Sequence, residues 1–400
     1  MNGCRVLPYY FPPTLLFRQL MALITISLST GWKIGKRWIR DLKRLLKVAA
    51  GATHYGCFGY AVHPVYEVTS MCNLRCMHCH AKGGEPYPGE LDTKKAKLLI
   101  ENLTTVKEFR MLVFTGGEPL VRKDIFELSE YAVNLGFNIV YATNATLIDR
   151  DKARKMERIG VLGAAVSIDS INPRKHDLFR GVDGAWKRCI EGIKNLLDYG
   201  LYLQINITAS KLNYGEISDL IRFSDRLGAH VILLYNFVAS GRGKEYSNLE
   251  LSINEYLNLV KTVAELQSEV ELVIVPVALP WYYASIISKS KLPVRIVKNW
   301  VTGCIAARGM FYIKPNGDVW PCAFLPIKAG NVVDERAIDV WNSDIFKKIR
   351  DRSNLKGVCG SCKYREICGG CRSRAYISTG DVFAEDPTCS IARKLFALFD

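Results

Sequence analysis

Six short β-rich runs, each followed by residues with helical periodicity, constrain the fold of this chain more than any other feature of its sequence. They recur about every 25 to 40 residues, which is typical of βα units repeated around a parallel sheet. The sequence therefore predicts an α/β protein built on such a sheet. The runs lie near residues 65–70, 110–117, 137–145, 163–170, 201–208 and 230–237.

Residues suited to chemistry follow four consecutive runs, at the point where each run ends. In parallel α/β sheets and barrels, ligands and reacting groups gather at the carboxyl ends of the strands, because the loops leaving that edge converge. We therefore expect the four groups to share one site. They are residues 72–79, 116–119, 143–144 and 167–169.

The first of these groups places Cys72, Cys76 and Cys79 within eight residues. Three explanations compete: a zinc site completed by His78 or His80, a disulfide framework, and an iron-sulfur cluster with one open iron. Thiols crowded at such short spacings in a large chain disfavour disulfides. Zinc sites usually draw their ligands from two separated knuckles, whereas three thiolates at this spacing suit three irons of one cubane.

This run, CNLRCMHC at 72–79, and the later GGEP at 116–119 closely resemble the radical S-adenosylmethionine (radical SAM) family. The resemblance implies a partial (β/α)6 TIM-like barrel. It also implies a [4Fe-4S] cluster whose open iron binds the amino and carboxylate groups of S-adenosylmethionine. Reduction by a donor such as ferredoxin or flavodoxin then yields methionine and a 5′-deoxyadenosyl radical, which abstracts hydrogen from a substrate.

The same resemblance implies a set of cofactor-binding residues. The glycine pair lets the backbone approach a ligand closely, which suits binding of the methionine part, and Glu118 can accept a hydrogen bond from its ammonium group. In TNAT, Ala145 stands where the family usually has glycine. For Arg180, the alternative to a cofactor-binding role is a structural salt bridge. The implied residues are His78, Gly116, Gly117, Glu118, Pro119, Asn144, Ser167, Asp169 and Arg180.

A second group of cysteines begins at residue 304 and resembles the SPASM extension of radical SAM enzymes, with one or two auxiliary [4Fe-4S] clusters. The C-x2-C at 368–371 is one residue shorter than the usual C-x3-C. A zinc ribbon is the alternative, although ribbon knuckles usually lie farther apart. The resemblance assigns four cysteines to an outer cluster and three to an inner cluster that lacks a fourth thiol. The outer ligands would be Cys359, Cys362, Cys368 and Cys389, and the inner ones Cys304, Cys322 and Cys371.

The chain has 400 residues and a formal net charge of +15, of which residues 1–56 carry +8. The modest positive charge on the remaining residues gives no strong case for nucleic acid binding.

We expect three parts: a basic extension at 1–60, a barrel at 61–280 and a cluster domain at 281–400. Clustered thiols favour a reducing, cytoplasmic compartment. The apolar stretch at 14–29 is too short and interrupted to predict a membrane span. Residues 32–49 predict an amphipathic helix that either packs on the domain or contacts an anionic membrane.

The substrate is less constrained. The tail at 368–389 resembles radical SAM enzymes of alternative haem synthesis, and Arg372 and Arg374 suit a substrate with several carboxylates or brace the cluster loop. Peptide or cofactor maturation by a SPASM enzyme remains open. A non-catalytic iron-sulfur electron carrier or a zinc-binding regulator would explain the cysteines but not GGEP or SID at the strand ends.

Overall fold

The computed structural model describes residues 13–40, 62–290 and 292–389. Its centre is a sheet in which the six predicted strands are confirmed and lie parallel in chain order. Because sequential parallel neighbours need a crossover, helices separate them along the chain. The strands are β1 (His63–Thr69), β2 (Met111–Gly116), β3 (Asn138–Thr143), β4 (Gly163–Ser167), β5 (Tyr202–Ala209) and β6 (Val231–Asn236).

Four further strands extend this sheet at both sides. β7 (Val273–Val277) pairs parallel with β6, and β8 (Met310–Ile313) pairs parallel with β1. β9 (Asp318–Trp320) and β10 (Gly330–Asn331) then follow in antiparallel order. Within the described residues β7 and β10 are the edge strands, so the barrel stays open. The cysteine-rich extension therefore continues the sheet of the barrel.

The described helices cover the sheet and fill the C-terminal extension. Several begin at a residue that the sequence supplies as a cap: the Asp92 and Asp149 carboxylates and the Ser252 hydroxyl accept from backbone N–H groups in the first turn. The helices are α1 (Pro13–Thr30), α2 (Lys36–Arg40), α3 (Thr93–Leu103), α4 (Ile125–Asn134), α5 (Arg150–Ile159), α6 (Pro173–Arg180), α7 (Ala185–Asp198), α8 (Ile217–Leu227), α9 (Ile253–Leu266), α10 (Trp281–Ser290), α11 (Val294–Val297), α12 (Ala337–Trp341), α13 (Asp344–Arg350), α14 (Gly357–Ser361) and α15 (Arg372–Thr379).

Apolar side chains on the two faces of the sheet form separate clusters. The larger cluster lies between strands and helices, as expected for parallel strands buried on both faces. A small cluster on the opposite, inner face contains Met111, Val113, Val140 and Ala165. Because alternate side chains of a strand point to opposite faces, these residues give the barrel an apolar interior.

The N-terminal segment differs from the predicted helix. Residues 31–35 are not helical and α2 begins only at Lys36, while residues 41–49 of the prediction lie outside the described part of the chain. The indoles of Trp32 and Trp38 are buried and both donate to the Glu271 carbonyl, at 3.2 and 2.8 Å. This segment therefore packs on the barrel. Among the described helices, none is long and apolar enough to cross a membrane.

Helix α7 offers a test of how closely the elements around the site are packed. A Cβ added to Gly192 would lie 2.1 Å from the Ala145 carbonyl oxygen, whereas one added to Gly215 would meet no atom within 4 Å. We expect Gly192→Ala to destabilise the fold by about 1–3 kcal/mol. Gly215→Ala should change stability by less than about 0.5 kcal/mol. Urea unfolding of both variants, monitored by circular dichroism, checks this, and equal midpoints would contradict the packing.

Candidate active site

A cavity of about 280 Å³ opens at the carboxyl ends of the strands. It receives residues from the first loop, from the strand ends and from the C-terminal extension. The sequence prediction of one shared site therefore agrees with the geometry. Six cysteines line this cavity: Cys72, Cys76, Cys79, Cys304, Cys322 and Cys371.

The thiols of the first loop are arranged as acceptors of N–H groups. The sulfur of Cys72 accepts from the backbone of Leu74 at 3.4 Å, and that of Cys79 accepts from Gly83 at 3.2 Å. The guanidinium of Arg180 lies 3.7 Å from the sulfur of Cys76. Such bonds orient metal-bound thiolates and tune their basicity. Burial raises the pKa of the Cys72 thiol to about 12, so metal binding must displace its proton.

Gly116 and Gly117 lie where β2 passes under the cysteine loop. A Cβ on Gly116 would be 2.1 Å from the Thr69 carbonyl oxygen, and one on Gly117 would be 2.2 Å from that of Met71. Gly116 also has a φ of 148°, in the region that favours glycine. Both glycines line the cavity. They therefore let the first loop close over the second strand at the site.

Glu118, which we predict to contact the cofactor's ammonium group, bonds to the ends of two strands within the described chain. It is buried but does not line the cavity, and Pro119, which begins a short 3₁₀ helix, does not line it either. Its carboxylate accepts from the Thr143 hydroxyl at 2.8 Å and from the Asn144 and Leu120 backbone N–H groups at 2.8 and 3.1 Å. Burial raises its pKa to about 7. Glu118 thus joins the ends of β2 and β3.

Asn144 lines the cavity and connects the third strand to the cysteine loop. Its amide donates to Asn73 at 2.9 Å, and its side-chain oxygen accepts from the Thr146 backbone at 2.9 Å. The next residue, Ala145, has a φ of 59°. Alanine therefore adopts here the left-handed conformation that the usual glycine takes more easily, and the turn keeps its shape.

The remaining predicted cofactor residues form one buried group. Ser167, His78 and Arg180 line the cavity, whereas Asp169 lies behind them and forms an ion pair with Arg180. The ring of His78 lies 4.4 Å from that of Phe179, and its Nδ1 is buried without a hydrogen-bond partner in the described chain. Arg180 therefore combines its two alternatives, as a salt-bridge partner and as a residue beside the thiols.

The C-terminal cysteines separate into the two predicted groups. Cys304, Cys322 and Cys371 line the large cavity, and a second, smaller cavity is lined by Cys359, Cys362, Cys368 and Cys389. Backbone N–H groups of Tyr364, Gly370 and Asp386 approach three of the outer sulfurs at 3.4 to 3.5 Å. Among the described residues, no three His, Cys, Asp or Glu side chains converge tightly enough to hold a single metal ion. Both sets of soft thiol donors instead surround a space, which fits clusters.

For Arg372 and Arg374 the sequence left substrate binding and support of the cluster loop open, and both arginines bond to backbone carbonyls. Arg372 is buried and donates to the carbonyls of Val382 and Ala384, at 2.9 and 2.7 Å. Arg374 donates to the Ala278 carbonyl at 2.9 Å. Neither lines the large cavity. Their positions therefore favour the alternative in which they support the cluster loop.

Sequence reasoning missed several residues that hold the site together. Arg242 donates to the carbonyls of Cys76 and Gly83, at 2.9 and 2.7 Å, and so clamps the cysteine loop from a distant segment. Glu67 on β1 is buried between Tyr312 and Lys314 of the extension and bonds to both. Burial raises the pKa of Glu67, while the Lys314 ammonium acts against that shift. The alternation of Tyr312 on β8 with Lys314 directly after that strand was the one available signal, and it names no partner.

Comparison with known families agrees with this geometry. Residues 66–224 match the radical SAM superfamily, and residues 304–372 match the SPASM iron-sulfur cluster-binding domain. The chain belongs to the radical SAM enzymes that carry a SPASM extension. Its cofactors are a [4Fe-4S] cluster with S-adenosylmethionine and auxiliary iron-sulfur clusters.

The chain is also similar to individual relatives in sequence and to solved structures in fold. The chain is 35% identical to AdoMet-dependent heme synthase of Methanosarcina barkeri over 333 residues, covering 81% of this chain and 95% of that protein. Identity to the protein of that name from Nitratidesulfovibrio vulgaris is 35% over 334 residues, covering 81% and 91%. The fold resembles Streptococcus suis SuiB bound to precursor peptide SuiA, with a TM-score of 0.66, 20% identity and coverage of 88% and 80%.

The grouping of thiols predicts separate losses of iron. Cys359→Ala should remove an outer cluster of about four irons per chain and leave cleavage of S-adenosylmethionine measurable. Cys72→Ala should abolish that cleavage. Cys189 is buried but lines neither cavity, so Cys189→Ala is the control and should retain full iron content. Iron and sulfide analysis after anaerobic reconstitution checks this, and iron loss in the Cys189 variant alone would contradict the assignment.

Proposed function

We propose that this enzyme acts on acidic side chains of an iron tetrapyrrole in a haem-forming pathway. The observation that carries the proposal is the shared cavity, in which the first-loop thiols and the inner thiols of the extension face the same space. A radical formed beside the first cluster could act on a substrate that also lies near an auxiliary cluster. The names of the relatives at 35% identity support the same substrate class.

The cavity walls suit a large apolar ring. Inward-facing side chains of β1, β2, β3 and β6 include the aliphatic residues Val65, Val113, Val140 and Leu233, whereas β5 contributes the polar Gln204 and Asn206. Binding sites for such ligands are mostly apolar, with a few polar groups that set orientation. Asn236 is one candidate, because it lines the cavity and its buried Oδ1 has no hydrogen-bond partner in the described chain.

The chemistry gives the auxiliary cluster a role. Hydrogen abstraction from a propionate carbon next to the ring, followed by loss of carbon dioxide, leaves a vinyl group and releases one electron. The inner thiols, Cys304, Cys322 and Cys371, would hold an acceptor for that electron within the same cavity. An external donor such as ferredoxin or flavodoxin would supply the electron that cleaves S-adenosylmethionine.

Turnover tests the substrate. With dithionite and S-adenosylmethionine, the reconstituted enzyme should release 5′-deoxyadenosine and lower the mass of iron-coproporphyrin or of didecarboxylated sirohaem. For iron-coproporphyrin, the loss is carbon dioxide and two hydrogens for each propionate that becomes a vinyl group. SuiB binds a precursor peptide, so peptide maturation is the competing function. If neither tetrapyrrole binds at micromolar concentration while a peptide does, the tetrapyrrole proposal is wrong. Release of no 5′-deoxyadenosine from a fully loaded enzyme would favour an electron carrier.

We also propose peripheral contact with an anionic membrane, through α1 rather than through residues 32–40, whose tryptophans are buried. Residues 13–40 contain five Lys or Arg and no acid. One face of α1 carries large apolar side chains at spacings of three and four residues. They are Phe17, Leu20, Ile24 and Leu28, exposed by 54%, 52%, 41% and 64%. Apolar and basic residues together favour binding at a lipid interface.

Vesicle binding tests this contact. Leu20→Glu with Leu28→Glu should weaken co-sedimentation with phosphatidylglycerol vesicles at least about tenfold, because two leucines would no longer enter the lipid. Leu98→Glu on α3 is the matched control, since Leu98 is 56% exposed and lies outside this face. Equal binding of both variants, or equal binding of the unaltered protein to uncharged vesicles, would contradict the proposal.

A further inference from the structure

His80 lines the active-site cavity but has no role in the site described above. It follows the last cysteine of the first loop, and its side chain reaches the C-terminal extension. The imidazole Nε2 lies 3.1 Å from the hydroxyl of Tyr312 on β8. Its ring centroid lies 5.0 Å from that of Phe324. These contacts hold the imidazole in one orientation at the cavity wall.

The hydrogen bonds around Tyr312 determine which imidazole nitrogen carries the hydrogen. The Tyr312 hydroxyl donates to Oε1 of Glu67, and the other oxygen of this carboxylate bonds to the Lys314 ammonium. A phenol has a single hydrogen, so its oxygen can only accept from His80. Nε2 is therefore the protonated nitrogen. In this tautomer Nδ1 carries the lone pair, and no hydrogen bond joins it to another residue of the described chain.

An imidazole supported in this way is typical of a metal ligand. Metal-binding histidines usually donate their second N–H to an oxygen acceptor, which fixes the ring and raises its basicity. Neutral imidazole is also a common axial ligand of haem iron. We propose that Nδ1 of His80 coordinates the iron of the bound tetrapyrrole and thereby positions the substrate for hydrogen abstraction. This inference rests on the proposed function.

The surroundings of His80 favour a planar iron complex over other metal ligands. The rings of Tyr312 and Phe324 lie beside the imidazole, and the ring of Tyr235 lies 6.3 Å from that of Phe324. Aromatic and aliphatic walls suit the macrocycle, while its iron has an axial position for one nitrogen. Among the described residues that line the cavity, Arg180 is the one Lys or Arg, and it is already paired with Asp169. Iron ligation therefore supplies an anchor that charge pairing does not.

Paired titrations with an iron tetrapyrrole and its metal-free form test this role. The probes are iron(III) coproporphyrin III and coproporphyrin III, added to anaerobically reconstituted enzyme. We expect His80→Ala to lose at least about tenfold affinity for the iron form and less than about twofold for the metal-free form. The Soret band and the ferric paramagnetic resonance signal should lose their imidazole character. Imidazole added to His80→Gly should restore both.

Two controls separate ligation from damage to the site. Iron and sulfide content and the cluster's paramagnetic signal without tetrapyrrole should match the unaltered enzyme; a changed cluster signal would mean that His80 binds the cluster, and would overturn the proposal. Tyr312→Phe removes the acceptor of the Nε2 hydrogen and should weaken the iron-imidazole signature while keeping an aromatic ring.

The outcomes also distinguish this inference from the proposed function. Equal affinity losses for both probes, or an unchanged Soret band in His80→Ala, would overturn iron ligation while tetrapyrrole turnover still supported the function. If the unaltered enzyme neither binds nor converts an iron tetrapyrrole, the proposed function fails and this inference fails with it.

Discussion

The parallel pairing of β8 with β1 is the interaction on which the rest of this structure depends. It joins the C-terminal extension to the strand that leads into the cysteine loop, in a register that aligns His63 with Met310 and Tyr66 with Ile313. A buried ion pair between Glu67 and Lys314 lies across that pairing. Removing one partner from such a pair typically costs about 3–5 kcal/mol, because an uncompensated charge stays buried. The pairing therefore aligns the two strands and brings both sets of thiols to one cavity.

The same pairing explains how one protein can combine two kinds of iron site. The positions of the first-loop thiols follow from the short spacing of these cysteines along the chain and from the way their loop closes over β2. The inner thiols come from residues more than two hundred positions later, and reach the cavity only because β8 extends the sheet. The outer thiols form their own cavity within the extension. The first-loop and inner thiols thus share one cavity, whereas the outer thiols line a separate one.

Much of the fold and of the candidate site could be predicted from the sequence, because the signals are local. The six β-rich runs, the cysteine spacings and the glycine pair are each recognised from residues that lie close together along the chain. The hydrogen-bond partners of individual polar side chains could not be predicted, because the fold brings those partners together. Glu118 was predicted to contact the cofactor, and no signal in the sequence named Thr143 and Asn144 as partners of its carboxylate. For Arg372 the sequence left substrate binding and support of the cluster loop open, and its bonds to the Val382 and Ala384 carbonyls favour the second. Arg242 gave no readable signal in the sequence, and the alternation of Tyr312 with Lys314 named no partner.

The left-handed backbone of Ala145 has a consequence for how firmly the third loop is held. A glycine would enter this conformation without a steric penalty, but it would also gain more disorder whenever the chain unfolds. The Ala145 methyl group raises the free energy of the native turn, because its φ is positive. It also reduces the number of backbone conformations that the unfolded segment can adopt. Asn144, which lines the cavity, therefore adjoins a residue with fewer accessible backbone conformations than the usual glycine would have, so less conformational entropy is lost when this turn becomes ordered.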